Sequence, residues 1–249
     1  MSCIIYGTGK WAKLLGDKLK ANNLDPIYIG SDSAVSTYTR KTIPDDVLNA
    51  KNPGLIFIAS STKNHLSDLK HCLENFKNVS KIFIEKGFTN NEERDEAKTL
   101  IKSKKARAYI LSQYRFSKVF KDFRKLGLKI ESITYNWHVE KGEASEWGHH
   151  IVSLDNFLKN QSSDMVIDKF GIHQKENSVI NLVKSDERKL LIDVETTTSS
   201  LRFSLGKDNE VTIITKDNFE GYAKHKNEDC LELQVQSILK RMYDILEKV

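Results

Sequence analysis

The sequence predicts an α/β part followed by an α+β part: an N-terminal parallel sheet over residues 1–115, then a mainly antiparallel α+β domain over 116–249. Three observations predict it. Short apolar runs alternate with amphipathic helical patterns through the first half, the rhythm of βαβ units. A glycine-rich turn joins the first run to the first helical pattern. Later strands alternate apolar and polar residues, as a sheet with one packed and one exposed face requires. At 249 residues the chain is long enough for two cores of ordinary size.

Taken in order, Cys3 to Tyr6 is an apolar strand, followed by "GTGKWAKLLGDKLKANNL", in which Trp11, Leu14, Leu15 and Leu19 recur at helical spacing. "PIYIG" and "GLIFIAS" are the second and third strands, and "NHLSDLKHCLENF" is an amphipathic helix. "KIFIEKG", a helix through "ERDEAKTLIKSKKA", and "AYILSQY" complete the alternation. Continuous apolar strands such as "LIFIA" suit burial on both faces. The later strands are "DMVIDKFGIH", "VINLVKSDERKLLIDVETTTSSLRFSLG" and "EVTIITK". The closing "EDCLELQVQSILKRMYDILEKV" sets Leu231, Val235, Ile238, Leu239, Met242 and Ile245 on one stripe and predicts a helix with a core face.

Gly7, Gly9 and Ala12 fit G-x-G-x-x-[GA] between a strand and a helix, which predicts a Rossmann-type dinucleotide-binding domain. Gly7 permits the tight turn, Gly9 lets the backbone approach a pyrophosphate, and Ala12 keeps the helix close to the sheet. Thr8, Lys10 and Trp11 complete the cofactor-binding turn. Asp32 follows the second strand at the spacing of a ribose-binding acid, although Gly30 or Ser31 can occupy that place instead. Either NAD or NADP is expected. The acid favours NAD because it repels a 2′-phosphate, while Arg40 and Lys41 nearby suit one.

Composition narrows the function classes. Charged residues are 29% against 39% hydrophobic, and the net charge of +5 is spread in mixed-sign runs without a basic stripe interleaved with aromatics. No nucleic-acid partner is expected. The start lacks a basic region before an apolar stretch, and no segment is long and apolar enough for a bilayer, so the expectation is a cytoplasmic protein with no membrane partner. Cys3, Cys72 and Cys230 are odd in number and far apart, which gives neither a disulfide framework nor a zinc spacing.

"ASEWGHHIVSLDNFL" is the second cluster with chemistry in it. On a helix, Glu146 and His150 share a face, where a carboxylate can orient an imidazole; His149 points elsewhere. The spacing alone allows a proton-transfer site or the polar start of a helix. A metal site is not expected, because adjacent histidines rarely converge on one ion and no third ligand stands at an interpretable spacing.

Two further stretches, "IASSTKNHLSDLKHCLEN" after the third strand and "IFIEKGF" after the fourth, complete a recognisable order. With the glycine turn, it resembles the glucose-fructose oxidoreductase, inositol dehydrogenase and rhizopine catabolism family (Gfo/Idh/MocA) of NAD(P)-dependent oxidoreductases. His65 matches the family's histidine at the next helix start, and Glu85 and Lys86 match the first two residues of its Glu-Lys-Pro. Ser61 stands where the family usually has a proline, and Gly87 replaces the proline of Glu-Lys-Pro. "YILSQYRFSKVFKDFRKLGLKIESITYNWHV" is similar to the family's crossing into its substrate domain, with Tyr114 and Arg115 at the junction. "EWGHH" falls where the family has Asp-x-Gly-x-His, fitted by Glu146, Gly148 and His150, and also fits a variant Asp-Trp-Ser-His through His149.

The resemblance implies a cofactor cleft touched by Ser60, Ser61, His65 and Glu85. It implies that Lys86 stabilises charge on the reacting oxygen and that His150, or else His149, is the acid/base with Glu146 beside it. The implied activity is oxidation or reduction at a hydroxyl or keto group of a sugar, nucleotide sugar or polyol, on a small-molecule substrate, with a homo-oligomer through the C-terminal sheet. Two alternatives stay open: a non-catalytic or regulatory dinucleotide-binding protein, and an imine or tetrapyrrole reductase. Family members usually run longer, so the second domain here is trimmed.

Overall fold

The structure, a computed structural model, describes residues 3–31, 34–49, 54–76, 79, 81–139, 144–159, 166–168, 171–173, 177–184, 189–197, 200–205, 211–215, 224–225, 229–241, 243 and 246–249. The chain divides into two compact units, residues 1–112 together with 234–249, and residues 113–233.

In the first unit, strand β1 (Cys3–Tyr6) leads through the glycine turn into helix α1 (Lys10–Ala21), and strand β2 is Pro26–Ile29. A short helix α2 (Asp45–Leu48) precedes β3 (Leu55–Ile58) and α3 (His65–Asn75). Then come β4 (Lys81–Glu85), α4 (Asn91–Ser103) and β5 (Arg107–Leu111). These five strands are parallel in the order β2-β1-β3-β4-β5. Every residue of β1 and β3 is buried, which accounts for their unbroken apolar sequences. Burying each such side chain contributes about 1.5–3 kcal/mol. Register matters for function here. Tyr6 is level with Ile29 on one side and Ile58 on the other, so the three carboxyl ends form one edge where the strand order reverses.

Helix α1 buries Ala12, Leu15 and Leu19, but Leu14 of the expected apolar set is 42% exposed. Its close approach to the sheet lies at Ala12 and also at Gly16, where a Cβ would sit 1.6 Å from the Tyr28 hydroxyl. Any side chain there requires the Tyr28 ring to shift.

In the second unit, helix α5 (Lys118–Lys125) precedes β6 (Ile130–Val139), α6 (Ala144–Lys159) and the small hairpin β7 (Val166–Asp168) and β8 (Gly171–His173). Next come β9 (Ser178–Lys184), β10 (Lys189–Thr196), β11 (Ser200–Leu205), β12 (Val211–Thr215) and β13 (Lys224–His225). The sheet order is β13-β12-β11-β10-β6-β9; all described pairs are antiparallel except β6 with β9. Ile133, Tyr135, Trp137, Ile192, Val194 and Phe203 are buried, while their alternates Asn136 and Asp193 are half-exposed. The expected two-part fold class, parallel then mostly antiparallel, is what the chain adopts.

The C-terminus differs from expectation. Helix α7 (Cys230–Leu239) ends well before the expected stripe does, and Arg241 takes φ +59°. The chain then forms β14 (Glu247–Lys248), antiparallel to β5. The expected second domain running to residue 249 is therefore corrected: residues 234–249 belong with the first unit. No glycine or proline marks this break in the sequence. Met242 and Ile245 lie outside the described residues.

Candidate functional site

Gly7 carries the turn after β1. Its φ is +121°, and a Cβ would lie 2.6 Å from the Ala59 carbonyl oxygen, so both conformation and space demand glycine. Its N–H donates to Ile29 O at 2.9 Å, and Ala59 N–H donates to Tyr6 O at 2.8 Å, which ties the turn to the ends of β2 and β3. Gly9 is the N-cap of α1, with nothing within 4 Å of a Cβ placed on it. The first turn of α1 holds no acid and its cap has no side chain, so the positive helix end is left for an outside anion. Lys10 is exposed beside it, Thr8 packs against Gly30, and Trp11 Nε1 is buried without a hydrogen-bond partner among the described residues. This chemistry suits a dinucleotide pyrophosphate.

Beyond β2, Ser31 is exposed, and Asp32 lies outside the described residues. The chain returns so that Gly30 N–H donates to Tyr38 O at 3.0 Å. Arg40 then forms an ion pair with Asp68, a residue the sequence reading did not single out.

Ser60 and Ser61 follow β3. The Ser60 hydroxyl donates to Asp68 Oδ2 at 2.6 Å, while Ser61 is exposed. Ser61 has φ −64°, the angle a proline ring would impose, so this departure from the family pattern leaves the backbone path available to proline unchanged. His65 is fully buried. One ring nitrogen lies 2.9 Å from Ser60 O and the other meets Gly87 O, joining the turns after β3 and β4.

The second departure rebuilds its turn. Lys86 has φ +56° and Gly87 has φ +86°, both left-handed, and Gly87 N–H donates to Glu85 O at 2.8 Å across Lys86. A proline at 87 has neither that φ nor that N–H. The left-handed Lys86 costs about 1–2 kcal/mol, and such local strain marks candidate functional positions. Its ammonium lies 3.8 Å from the buried Glu85 carboxylate.

In the second unit, the segment Gln113–Phe116 forms a buried 3-10 turn against α6. His150 on α6 is buried, and the Tyr114 ring meets it edge-on at 5.4 Å. Arg115 Nε donates to Ser153 Oγ at 2.7 Å and to Ser153 O at 3.0 Å. Tyr114 and Arg115 thus pack the junction segment onto α6. Glu146 and His149 stand on the first turns of α6, and their side chains lie outside the described ones. Asp155 on the same helix accepts from Tyr135 OH at 3.0 Å and Ser178 Oγ at 2.8 Å. Burial, first, and Asp155, second, push the Tyr135 phenol well above its ordinary value, so it remains a donor.

Gly7, Gly9, Ser60, His65, Glu85 and Lys86 are thus gathered along one edge of the first unit's sheet. Gly16, Asp68 and Asp155 were missed. Gly16 had a signal, a glycine inside a helical pattern, which often marks close backbone approach. Among the described residues, no group of three or more His, Cys, Asp or Glu could hold a metal ion, and no helix is long and apolar enough to cross a membrane.

No protein-family model and no curated protein sequence matches the chain. Solved structures do match its fold over nearly its whole length. UDP-N-acetylglucosamine 3-dehydrogenase GnnA from Acidithiobacillus ferrooxidans is 12% identical, with a TM-score of 0.73 over 97% of this chain and 88% of that one. A levoglucosan dehydrogenase in complex with NADH is 10% identical, TM-score 0.68, over 94% and 82%. Gal80p from Saccharomyces cerevisiae, in a super-repressor mutant, is 13% identical, TM-score 0.67, over 98% and 84%. The chain therefore has the fold of Gfo/Idh/MocA-type dehydrogenases, as the motif order implied.

Proposed function

We propose that this protein is an NAD(P)-dependent oxidoreductase acting on a hydroxyl or keto group of a sugar, nucleotide sugar or polyol. The observation that carries the reading is Lys86, held in a left-handed turn at the carboxyl end of β4 and backed by Glu85 and the His65 bridge. That sheet edge also carries the glycine turn and the open end of α1, and ligands of such folds bind at it. A nicotinamide, when bound, supplies the hydride chemistry. The backbone N–H groups at the start of α1 would hold its pyrophosphate. The Lys86 ammonium would stabilise negative charge on the substrate oxygen, and His150 would take or return that oxygen's proton with Glu146 near it on α6. A buried imidazole with one face against Tyr114 is restricted in orientation, which suits a positioned acid/base.

A regulatory reading has one observation in its favour: Gal80p, named as a repressor mutant, shares the fold. Turnover decides between them. A screen of sugars and polyols read by cofactor absorbance should find a substrate. Lys86→Met and His150→Ala should then each lower turnover by about a hundredfold while dinucleotide affinity stays nearly unchanged. His149→Ala should be milder; the reverse order for the two histidines would favour His149 as the acid/base. If all three variants turn over normally, the catalytic reading fails.

A further inference from the structure

Arg40 is the first cation in the chain after β2. Tyr38 forms a bridge with Ile29, and Thr37 N–H and Tyr38 N–H donate to Tyr28 O at 2.9 and 3.0 Å, so residues 37–40 run beside the carboxyl end of β2. From there the Arg40 guanidinium pairs with Asp68 Oδ1 on α3 and reaches Ser67 Oγ at 3.3 Å. Its own carbonyl lies 3.2 Å from His71 Nε2, and His71 Nδ1 lies 2.9 Å from the Tyr6 hydroxyl. Asp68 is fixed from the other side by the Ser60 hydroxyl at 2.6 Å. Ser60 N in turn lies 2.7 Å from where a Gly7 Cβ would stand. A short chain of contacts therefore links Arg40 to the phosphate-binding turn.

In nucleotide-binding sheets of this type the ribose next to adenine lies over the end of β2, where an arginine accommodates a 2′-phosphate and an acid suits the free hydroxyl. Here the arginine is present but already paired. Its side chain is 41% exposed, whereas that of Asp68 is 3% exposed, so the carboxylate is the better shielded and more firmly placed member. A phosphate approaching Arg40 also approaches that carboxylate and meets a nearly neutralised pair.

We propose that Asp68 sets the dinucleotide preference of this protein: by pairing with Arg40 it withholds the guanidinium from a 2′-phosphate, and the site selects NAD(H) over NADP(H). This rests on the dinucleotide reading given above. Asp68→Asn keeps the shape and an oxygen for the Ser60 hydroxyl and removes the charge, which frees Arg40 without emptying the site.

Calorimetric titration with NADH and NADPH tests it. The unmodified protein should bind NADH more tightly. Asp68→Asn should raise the NADPH-to-NADH affinity ratio by about tenfold or more, the scale of one recovered charge-assisted contact, and adding Arg40→Ala should cancel that gain. Arg40→Ala alone, at a half-exposed side chain, keeps the proposal testable if Asp68→Asn does not fold; it should leave the ratio within about twofold. NADPH bound as tightly as NADH by the unmodified protein, through the exposed Lys41 or otherwise, would overturn the proposal. So would a selective loss of NADPH affinity in Arg40→Ala, or an unchanged ratio in folded Asp68→Asn. If neither dinucleotide binds the unmodified protein, the oxidoreductase reading falls as well.

Discussion

His65 faces two carbonyl oxygens, and a neutral imidazole has a single N–H to offer them. Burial pushes its pKa below the ordinary 6.5; the Gly87 and Ser60 carbonyls and then Asp68 pull it back, and Lys86 pushes it down. The unfolded chain therefore takes up this proton at a higher pH than the folded chain. The contribution is complete above about pH 6.5 and is lost as pH falls from there towards the folded-state value, with a slope of at most about 1.4 kcal/mol per pH unit. His65→Gln should flatten that part of the profile, as measured by urea unfolding at several pH values between about 7.5 and 5. Equal slopes in the two proteins would assign the effect to another group. The sequence placed His65 by its match to a motif, but its partners are main-chain oxygens, which no residue pattern displays. Ser61 and Gly87 look alike as departures from proline. Only the backbone angles separate them, −64° at one and +86° at the other.

Helix α6 shows what sequence patterns reveal of an element and what they leave hidden. Its existence and start were legible, because "HHIVSLDNFL" carries an apolar stripe that buries Ile151, Leu154, Phe157 and Leu158. The chemistry drew attention to the histidines. Asp155, one turn further on and 1% exposed, hydrogen-bonds the helix to the sheet: it accepts from Tyr135 on β6 and Ser178 on β9, and Lys159 Nζ, 3.4 Å away, also donates to Ser178 Oγ. Strand register brings these partners together, and no local spacing predicts that. Asp155→Ala removes the carboxylate that accepts from two buried hydroxyls and pairs with the Lys159 ammonium, which keeps the Ser178 hydroxyl as an acceptor, and should lower stability by about 3 kcal/mol. Tyr135→Phe, which removes one donor and retains the ring, should lower it by about 1 kcal/mol. Denaturant midpoints would check the pair; similar losses in both variants would mean that the one bond they both break, Tyr135 to Asp155, sets the stability, and that the carboxylate's other partners add nothing. The same helix presents His150, so a weaker docking of α6 should also lower turnover if His150 is the acid/base.

Over the whole molecule the chain passes between its two units twice, after residue 112 and within α7. The glycine turn, the parallel strands and the change to alternating strands were all legible, because each imposes a local pattern of residue types. The return of the tail was not. Its signal is a break after Leu239 with no turn-forming residue and a strand of two residues, too short to show a period. Yet the tail completes the first unit. Val249 N–H donates to Ala108 O at 3.1 Å, and Glu247 and Lys248 pair with Ile110 and Tyr109 on β5. The Tyr243 ring stacks on Tyr109 at 5.3 Å, extending a row through Phe83 to Phe57, with Lys81 Nζ 4.7 Å above it. A chain ending at Arg241 should therefore lose about 2 kcal/mol from that unit, through the lost ring contacts and buried apolar surface. It should also present the unpaired edge of β5 to other molecules. Urea unfolding would read the first effect and light scattering on warming the second. An unchanged midpoint in a chain that stays dispersed would mean that the tail rests on the sheet without supporting it. A loss of both stability and solubility, with NADH restoring part of the midpoint in proportion to the logarithm of its concentration, would show that the unit the tail completes is the one that binds the dinucleotide.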